Sequence, residues 1–325
     1  MVVRRKVWLS ASAGLVLLAS LATSTVGGWQ QAIAQQTPKQ GERSLRAQAP
    51  LTRLKIVFAS RRDTTDLQNK ANQVAQLLSK EIGIPVDAVI GDDTAAVEAL
   101  RANRADVAFM SGRPALKAEQ LAQARMYLAE VRNDYSGGNT YKSIFVVRND
   151  SPLTSKGSIK QTLEQLRGKR MAFTSRTSGS GFIFPVGELV GQGFITSPDR
   201  LDTFFKQVTY GDGYSSALQA VLRGQADVAA VSEYALLPPW ITAAEAKQLR
   251  ILTAVSGVPA HGIVIDDDVP AAMRDKIVNA FLKLNEPANN PLFRSLYNST
   301  KLVKVDHNRH LATLRQALQR AKLDP

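Results

Sequence analysis

One unit of sequence occurs twice in this chain, once in each half. The stretch 99–108 is ALRANRADVA and the stretch 221–229 is VLRGQADVA, with one residue of difference in length. Each predicts a helix, a tight turn and a buried strand. The recurrence indicates two lobes of the same construction, although such units also recur in any α/β protein. Asp106 and Asp227 are interpreted as turn or capping groups rather than ligand contacts.

Strand and helix patterns alternate along most of the chain. Apolar runs of strand length lie at 54–60, 85–90, 106–110, 144–147, 170–174, 207–210, 227–231 and 262–265. Helical patterns lie between or after them, at 67–82, 94–101, 158–168, 215–223, 270–284 and 306–321. Because this alternation is typical of parallel sheets covered by helices, we expect an α/β fold. The length of 325 residues allows two domains.

The N-terminus is typical of an export signal. Arg4, Arg5 and Lys6 precede an apolar stretch at 7–22, and Ala-Ile-Ala at 32–34 fits a cleavage site. We therefore expect a signal peptide at 1–34, a flexible leader at 35–52 and a periplasmic location. A transmembrane anchor is the alternative, but the apolar run is short and is interrupted by Ser and Gly.

Composition excludes several classes of chemistry. The chain has no cysteine, which rules out thiol nucleophiles, disulfides, thiolate metal sites and a lipid-anchored N-terminal cysteine. The net charge of +13 suits an anionic ligand, but the basic residues are scattered, so we expect no nucleic-acid partner. His307 and His310 lie three residues apart without a carboxylate at metal-ligand spacing, and we expect neither a metal nor a cofactor.

A Ser- and Gly-rich turn at 173–185 separates a predicted strand from a predicted helix. The N-terminus of a helix offers unpaired N–H groups and partial positive charge, glycine permits close approach of a ligand, and serine adds donors. These features favour an anion site beyond the carboxyl end of a strand. An ordinary helix cap explains the same residues equally well. The turn lacks the lysine of a phosphate-binding P-loop.

Several segments together resemble the phosphate, phosphite and phosphonate-binding proteins that serve ABC transporters. They are 106–114, the stretch YKSIFVVR at 141–148 followed by Asp150 and Ser151, the stretch 163–173, and SGSGF at 178–182 with Pro185. The resemblance extends from about 54 to 288. It implies a type II periplasmic binding-protein fold, with a hinge and a ligand cleft between two lobes. The expected lobes are 53–141 with 256–325, and 142–255.

The resemblance also implies which residues contact the ligand. Ser178 and Ser180 would donate hydroxyl groups to the anion, Gly179 and Gly181 would donate backbone N–H groups, and Tyr141 would contribute its hydroxyl. Gly179 departs from the family pattern, because the family has a threonine there and one donor is lost.

Further candidates rest on weaker grounds. Tyr214 and His261 stand where the family has a histidine and an aspartate, and the change to His261 disfavours an aminoalkyl phosphonate. Arg61 follows the first strand, where either a ligand contact or a solvated turn is plausible. Glu233 ends a strand and is either a ligand contact or a capping group.

The expected function is capture of a small phosphorus oxyanion, phosphonate or phosphite, by the solute-binding component of an ABC importer. Its partner would be a permease in the inner membrane, and we expect a monomer. A periplasmic sensor for a membrane signalling partner and a diverged binder of another anion remain alternatives. An enzyme with Ser178 as nucleophile would need His261 as its base and is disfavoured, so we expect no catalysis.

Overall fold

The computed structural model describes residues 51–60 and 66–325. The predicted signal peptide, nearly all of the predicted leader and the candidate Arg61 lie outside these residues. Within the described part, no helix combines the length and the apolar character needed to cross a membrane.

Strands and helices alternate through the described residues. The strands are β1 (Leu54–Ala59), β2 (Val86–Gly91), β3 (Val107–Met110), β4 (Arg125–Val131), β5 (Thr140–Arg148), β6 (Arg170–Phe173), β7 (Gln207–Tyr210), β8 (Val228–Ser232), β9 (Leu249–Pro259), β10 (Gly262–Ile265) and β11 (Lys301–Lys304). The helices are α1 (Leu67–Ile82), α2 (Asp93–Arg101), α3 (Gly112–Ala122), α4 (Ile159–Glu164), α5 (Phe184–Gly191), α6 (Tyr214–Leu222), α7 (Ala243–Ala246), α8 (Ala271–Leu282), α9 (Asn290–Tyr297), α10 (His307–His310) and α11 (Ala312–Ala321). A π-helical turn covers Gly179–Ile183, and 3₁₀ turns cover Pro198–Thr203, Glu233–Leu236 and Lys283–Asn285.

The strands form two sheets. Sheet A has the order β11-β4-β10-β3-β1-β2, and sheet B has the order β7-β6-β8-β5-β9. In each sheet three neighbouring strands are parallel, β2-β1-β3 in sheet A and β7-β6-β8 in sheet B. The parallel sheets predicted from the alternating pattern are therefore confirmed for these strands.

Each sheet also receives an antiparallel strand directly after the chain crosses from the other sheet. The first crossing joins β4 to β5, and β5 pairs antiparallel with β8 and β9. The second joins β9 to β10, and β10 pairs antiparallel with β3 and β4. In both sheets, therefore, the first strand after a crossing runs antiparallel to its neighbours. Sequence analysis identified no strand for β4, β9 or β11.

The repeated unit adopts the same backbone in both halves. In each turn, two consecutive N–H groups donate to one carbonyl oxygen. The N–H groups of 104 and 105 donate to Ala99 O, and those of 225 and 226 donate to Ala220 O. Asn103 (φ 52°) and Gly224 (φ 67°) occupy the left-handed position of their turns. Ala99 thus corresponds to Ala220 and Asn103 to Gly224. The units have equal length, and the predicted one-residue difference was wrong.

The aspartates of the two units act as predicted, as turn groups. The Asp106 carboxylate accepts the N–H of Lys55 at 2.8 Å, and the Asp227 carboxylate accepts the N–H of Arg170 at 2.8 Å. Lys55 lies in β1 and Arg170 at the start of β6, so each aspartate ties its turn to the neighbouring parallel strand.

Helix α11 packs against elements that flank both sheets. A Cβ atom at Gly112 of α3 would lie 2.9 Å from Leu314, and one at Gly187 of α5 would lie 2.9 Å from the carbonyl oxygen of Ala317. Thr313 donates its hydroxyl to the carbonyl of Gly257. Helix α11 thus contacts elements beside both sheets, and the predicted lobe boundaries stay a prediction.

Candidate functional site

The Ser- and Gly-rich turn lies between strand β6 of sheet B and helix α5. Strand β6 ends at Phe173, and Ser178 is the N-cap of the π-helical turn that leads into α5. Its hydroxyl oxygen accepts the N–H of Gly181 at 3.0 Å. Ser178 is thus a helix cap, and its own hydroxyl hydrogen remains to be donated, because a serine hydroxyl both donates and accepts.

The two glycines of this turn have different structural roles. A Cβ atom at Gly181 would lie 1.9 Å from the hydroxyl oxygen of Thr174, so packing alone requires glycine there. At Gly179 the nearest atom to a Cβ would be 3.7 Å away, on Val258. The N–H groups of Gly179 and Ser180 open the helical turn, where no acceptor exists within the helix.

Ser180 is fully buried and lies between two other polar side chains. Its hydroxyl oxygen is 2.9 Å from the hydroxyl oxygen of Tyr214, and its carbonyl accepts the hydroxyl of Ser143 at 2.6 Å. Tyr214 is the first residue of α6, so the start of this helix faces the Ser- and Gly-rich turn. The structure therefore brings together two candidates that lie 34 residues apart.

A cluster of aromatic rings surrounds these hydroxyl groups. Ring centroids are 4.9 Å apart between Tyr135 and Tyr141, 5.3 Å between Tyr141 and Tyr234, and 5.6 Å between Tyr214 and Tyr234. Trp240 packs edge-on against Tyr214 at 5.1 Å. Burial, together with the neighbouring tyrosines, raises the pKa of Tyr234 well above its ordinary value, so its hydroxyl keeps its hydrogen at neutral pH. The candidate Tyr141 lies within this cluster.

Glu233 connects the first crossing to sheet B. Its carboxylate oxygen Oε1 accepts the N–H and the hydroxyl of Ser136, at 2.9 and 3.0 Å, and the N–H of Lys142 at 3.0 Å. These three donors give Glu233 the capping role that sequence analysis left open. Beside it, the Arg132 guanidinium lies 4.9 Å from the ring centroid of Tyr234 and binds the Asp134 carboxylate.

His261 lies at the second crossing, next to a buried carboxylate. Its Nδ1 is 3.2 Å from Oε1 of Glu130, which is fully buried at the end of β4. Glu130 also accepts the hydroxyl groups of Tyr135, at 2.8 Å, and Ser299. The His261 ring stacks on Phe109. Glu130 and Tyr135 thereby connect His261 to the tyrosine cluster.

The other two histidines have structural contacts. His307 Nδ1 accepts the N–H of Met126 at 2.8 Å, and Nε2 lies 3.3 Å from a Glu119 oxygen. His310 Nε2 lies 3.1 Å from the carbonyl oxygen of Ala260. Burial lowers the pKa of both. Among the described residues no group of three metal-ligating side chains could hold a metal ion.

Sequence reasoning missed part of this arrangement. Glu130, Arg132 and Tyr135 were not candidates, because the strand β4 and the crossing after it carry no recognised motif. Thr174 was not a candidate either, although it lies within the Ser- and Gly-rich turn. Its hydroxyl oxygen is buried without a hydrogen-bond partner among the described residues.

Comparison with known proteins gives matches over most of the chain. Residues 56–311 match a family model described as the periplasmic substrate-binding protein of phosphonate ABC transporters. The phosphonates-binding periplasmic protein of Escherichia coli K12 is 27% identical over 213 residues, which are 64% of this chain and 59% of that protein. A phosphate-import protein of Mycolicibacterium smegmatis is 25% identical over 167 residues, which are 51% of this chain and 50% of that protein. The chain thus spans between half and three fifths of the length of these relatives.

A solved structure extends the likeness to the fold. A Prochlorococcus marinus protein in complex with methylphosphonate superposes with a TM-score of 0.64 at 19% identity, covering 83% of this chain and 98% of that one. At this identity the likeness concerns the fold alone. It confirms the predicted fold class, with two sheets of the type II periplasmic binding-protein kind.

Proposed function

Because the chain belongs to the family of periplasmic substrate-binding proteins of phosphonate ABC transporters, we propose that it is the solute-binding component of such an importer. It is exported to the periplasm, where two lobes close on a small phosphorus oxyanion, a phosphonate or phosphite, in the cleft between them. It presents the closed form to a permease in the inner membrane. The resemblance stated from the sequence is confirmed at the level of the family.

The helix start at Ser178 and Gly179 is the observation that carries this proposal. The N–H groups of Gly179 and Ser180 open the helical turn, and the Ser178 hydroxyl has a hydrogen to donate. A hydrogen bond to a charged group contributes about 1.5–3 kcal/mol. Four such bonds reach the roughly 8 kcal/mol of micromolar binding, with some left to offset closure.

The remaining candidates take roles around this start. Tyr141 and Tyr214 supply aromatic walls and hydroxyl groups, and Arg61 supplies positive charge. Glu233 holds the first crossing to sheet B, as its bonds to Ser136 and Lys142 support. The segments between β4 and β5 and between β9 and β10 act as the hinge, because they connect the two sheets.

The pairing of His261 with Glu130 favours a ligand without an amino group. A carboxylate at position 261 would attract an ammonium group, whereas here the Glu130 carboxylate is already occupied by His261, Tyr135 and Ser299. Methylphosphonate and phosphite should therefore bind more tightly than 2-aminoethylphosphonate.

Titration calorimetry of the purified protein tests the ligand assignment. The panel is phosphite, methylphosphonate, 2-aminoethylphosphonate, phosphate and sulfate. A phosphorus oxyanion should bind most tightly, and Ser178→Ala should weaken it at least about tenfold, since a bond to a charged group is lost. If sulfate binds best, the ligand assignment is wrong.

Ser158→Ala is the matched control for this experiment. Ser158 caps α4 in the same way, by accepting the N–H of Gln161 at 3.2 Å, but it is not part of the Ser- and Gly-rich turn. Its loss should lower stability without changing affinity. An equal loss of affinity in both variants would mean that the cap, rather than the hydroxyl donor, matters at Ser178.

Capture involves no chemical step, and the protein is a monomer in this proposal. Phosphoesterase assays should therefore show no turnover with the purified protein. Light scattering should give the mass of one chain, with and without ligand. Turnover that His261→Ala abolishes would support the enzyme alternative instead.

A further inference from the structure

The Ser- and Gly-rich turn enters its helix in a π-helical register. The N–H of Ile183 donates to Ser178 O at 2.9 Å, and the N–H of Phe184 donates to Gly179 O. Each of these bonds spans five residues, whereas an α-helical bond spans four. In the α-helical register the N–H of Phe184 would donate to Ser180 O. The π register therefore leaves the Ser180 carbonyl to another donor.

The helix itself cannot supply that donor. In the π register the partner of Ser180 O would be the N–H of residue 185, but Pro185 has no N–H. Ser143 of β5 takes its place, because its hydroxyl donates to Ser180 O at 2.6 Å. Ser143 is fully buried, so the bond is shielded from solvent. Strand β5 thus supplies a hydrogen bond that the helix lacks.

The next carbonyl of the turn is also bound from sheet B. In the α-helical register Gly181 O would depend on the same missing N–H of Pro185. Here it accepts the N–H of Thr174, which directly follows β6, at 3.3 Å. Two neighbouring carbonyls of the turn are therefore tied to two different strands of sheet B.

The register of this turn decides where the candidate donors lie. The Ser178 hydroxyl and the Gly179 N–H stand at its start, and both residues are half-buried. If Phe184 donated to Ser180 O instead, the turn would tighten by one residue, and both donors would rotate about the helix axis. Because hydrogen bonds weaken steeply when donor and acceptor are misaligned, such a rotation would weaken the hold on an anion.

We infer that Ser143 is a positioning residue of the anion site. By donating to Ser180 O it holds the helix start in the π register, in which the Ser178 hydroxyl and the Gly179 N–H are placed for an anion. The inference deepens the proposed function and rests on the anion site at the Ser- and Gly-rich turn. Ser143 acts through the backbone of the turn and does not itself contact the ligand.

Ser143→Ala tests this role. Without the hydroxyl, the N–H of Phe184 should move from Gly179 O to Ser180 O, which a crystal structure of the variant would show. The affinity for methylphosphonate, measured by calorimetry, should fall about tenfold, because a hydrogen bond to a charged group is lost. Ser143→Thr keeps the hydroxyl on a side chain that suits a strand, and it should stay within about threefold of the unaltered protein.

Ser232→Ala is the matched control. Ser232 lies directly opposite Ser143 on the neighbouring strand β8 and is also fully buried. Its hydroxyl oxygen, however, has no hydrogen-bond partner in the part of the chain that the structure describes. This variant should keep both the π register and the affinity. Since each substitution removes one buried hydroxyl from sheet B, the pair separates the bond to Ser180 O from a general effect of packing.

The outcomes separate this inference from the proposed function. Unchanged affinity in Ser143→Ala overturns the positioning role, even if methylphosphonate binds tightly. A loss of affinity in a variant that keeps the π register also overturns it. Sulfate binding that Ser143→Ala weakens, without methylphosphonate binding, supports the positioning role and overturns the phosphorus ligand. A protein that binds neither anion overturns both.

A second variant covers the case in which Ser143→Ala does not fold. Ser143→Cys keeps the shape of the side chain but carries a thiol, which is a weaker donor than a hydroxyl. Its affinity for methylphosphonate should fall by about threefold or more. An affinity equal to that of the unaltered protein would contradict the inference.

Discussion

Two helices of this protein start with Ser-Gly after a parallel strand, one beside each sheet, and they differ in what occupies the start. At α3, the carboxylate of Asp93 accepts the hydroxyl and the N–H of Ser111, at 2.6 and 3.4 Å. At the π-helical turn, the corresponding Ser178 hydroxyl caps its own helix through Gly181. One start thus binds an internal anion, and the other has donors left for an external one.

The glycines that follow these serines differ in the space around them. A Cβ atom at Gly112 would meet Leu314 at 2.9 Å and Pro259 at 3.1 Å, whereas at Gly179 the nearest atom is 3.7 Å away. Beside sheet A, the space that a Cβ atom at Gly112 would occupy is filled by Leu314 of α11 and Pro259 of β9. Similar local sequences thus give one structural and one candidate binding position, depending on their neighbours.

The largest effect is expected from Gly181→Ala. The added methyl group would lie 1.9 Å from Thr174 Oγ1 and 2.7 Å from its Cγ2, so either the turn or β6 must shift. Unfolding in urea should show a loss of about 3 kcal/mol, the upper part of the range for overpacked sites. Gly179→Ala, which has room, should lose less than about 1 kcal/mol. Equal losses would show that the two glycines are not distinct.

The next largest effect is a difference in stability loss between variants of the two aspartates of the repeated unit. Asp106 is 3% exposed, whereas the Asp227 side chain is 32% exposed and paired with the Arg170 guanidinium. Asp106→Ala should cost about 2 kcal/mol of unfolding free energy, because the carboxylate is buried and the part-buried N–H of Lys55 loses its acceptor. Asp227→Ala should cost about half of that, since water can replace an exposed carboxylate. The reverse order would contradict the burial argument.

Asp93→Asn sharpens the comparison of the two helix starts. The amide keeps an acceptor for the Ser111 hydroxyl but removes the charge at the start of α2 and next to the start of α3. The loss should be about 1 kcal/mol in chemical denaturation. Added sulfate should recover part of it if the start beside sheet A is an anion position. Recovery no greater than in the unaltered protein would restrict anion binding to the other start.

The smallest effect is a pH dependence from Asp227, in the unit of sheet B. The hydrogen bonds from Arg170 hold the pKa of Asp227 below its ordinary value, so its ionised form stabilises the native state. This contribution is complete above the unfolded-state pKa and is lost as the pH falls through the folded-state pKa. The difference in unfolding free energy between the unaltered protein and Asp227→Asn should therefore shrink below about pH 4. A difference that persists in acid would rule out the ion pair as its source.

The elements that sequence analysis predicted are each encoded by residues close together in the chain. Strands β1 and β6 are apolar runs bounded by turns, and α1 has a clear apolar face and ends at Gly83. Strands β4 and β9 were missed, although each includes apolar residues. Their strand character comes from antiparallel pairing with β10 and β5, which are distant in the chain.

The candidate site also combines a local feature, which the sequence predicted, with long-range contacts, which it did not. The Ser178 cap depends on the N–H of Gly181, three residues along the chain. Sequence analysis predicted the turn from its serines and glycines between a strand and a helix. The contacts of Ser180 with Tyr214 and of Tyr214 with Tyr234 span 34 and 20 residues. They exist because three elements of one half meet at the ends of its parallel strands, and no local pattern encodes that meeting.

By itself, the sequence determined the repeated unit, the alternation of strands and helices and the Ser- and Gly-rich helix start, because each depends on neighbours within about ten residues. Only the tertiary structure decided that Asp93 fills one helix start and that hydroxyl groups from three elements converge on the other. Those contacts depend on how the chain crosses between the two sheets, and their energies exist only once both sheets have formed.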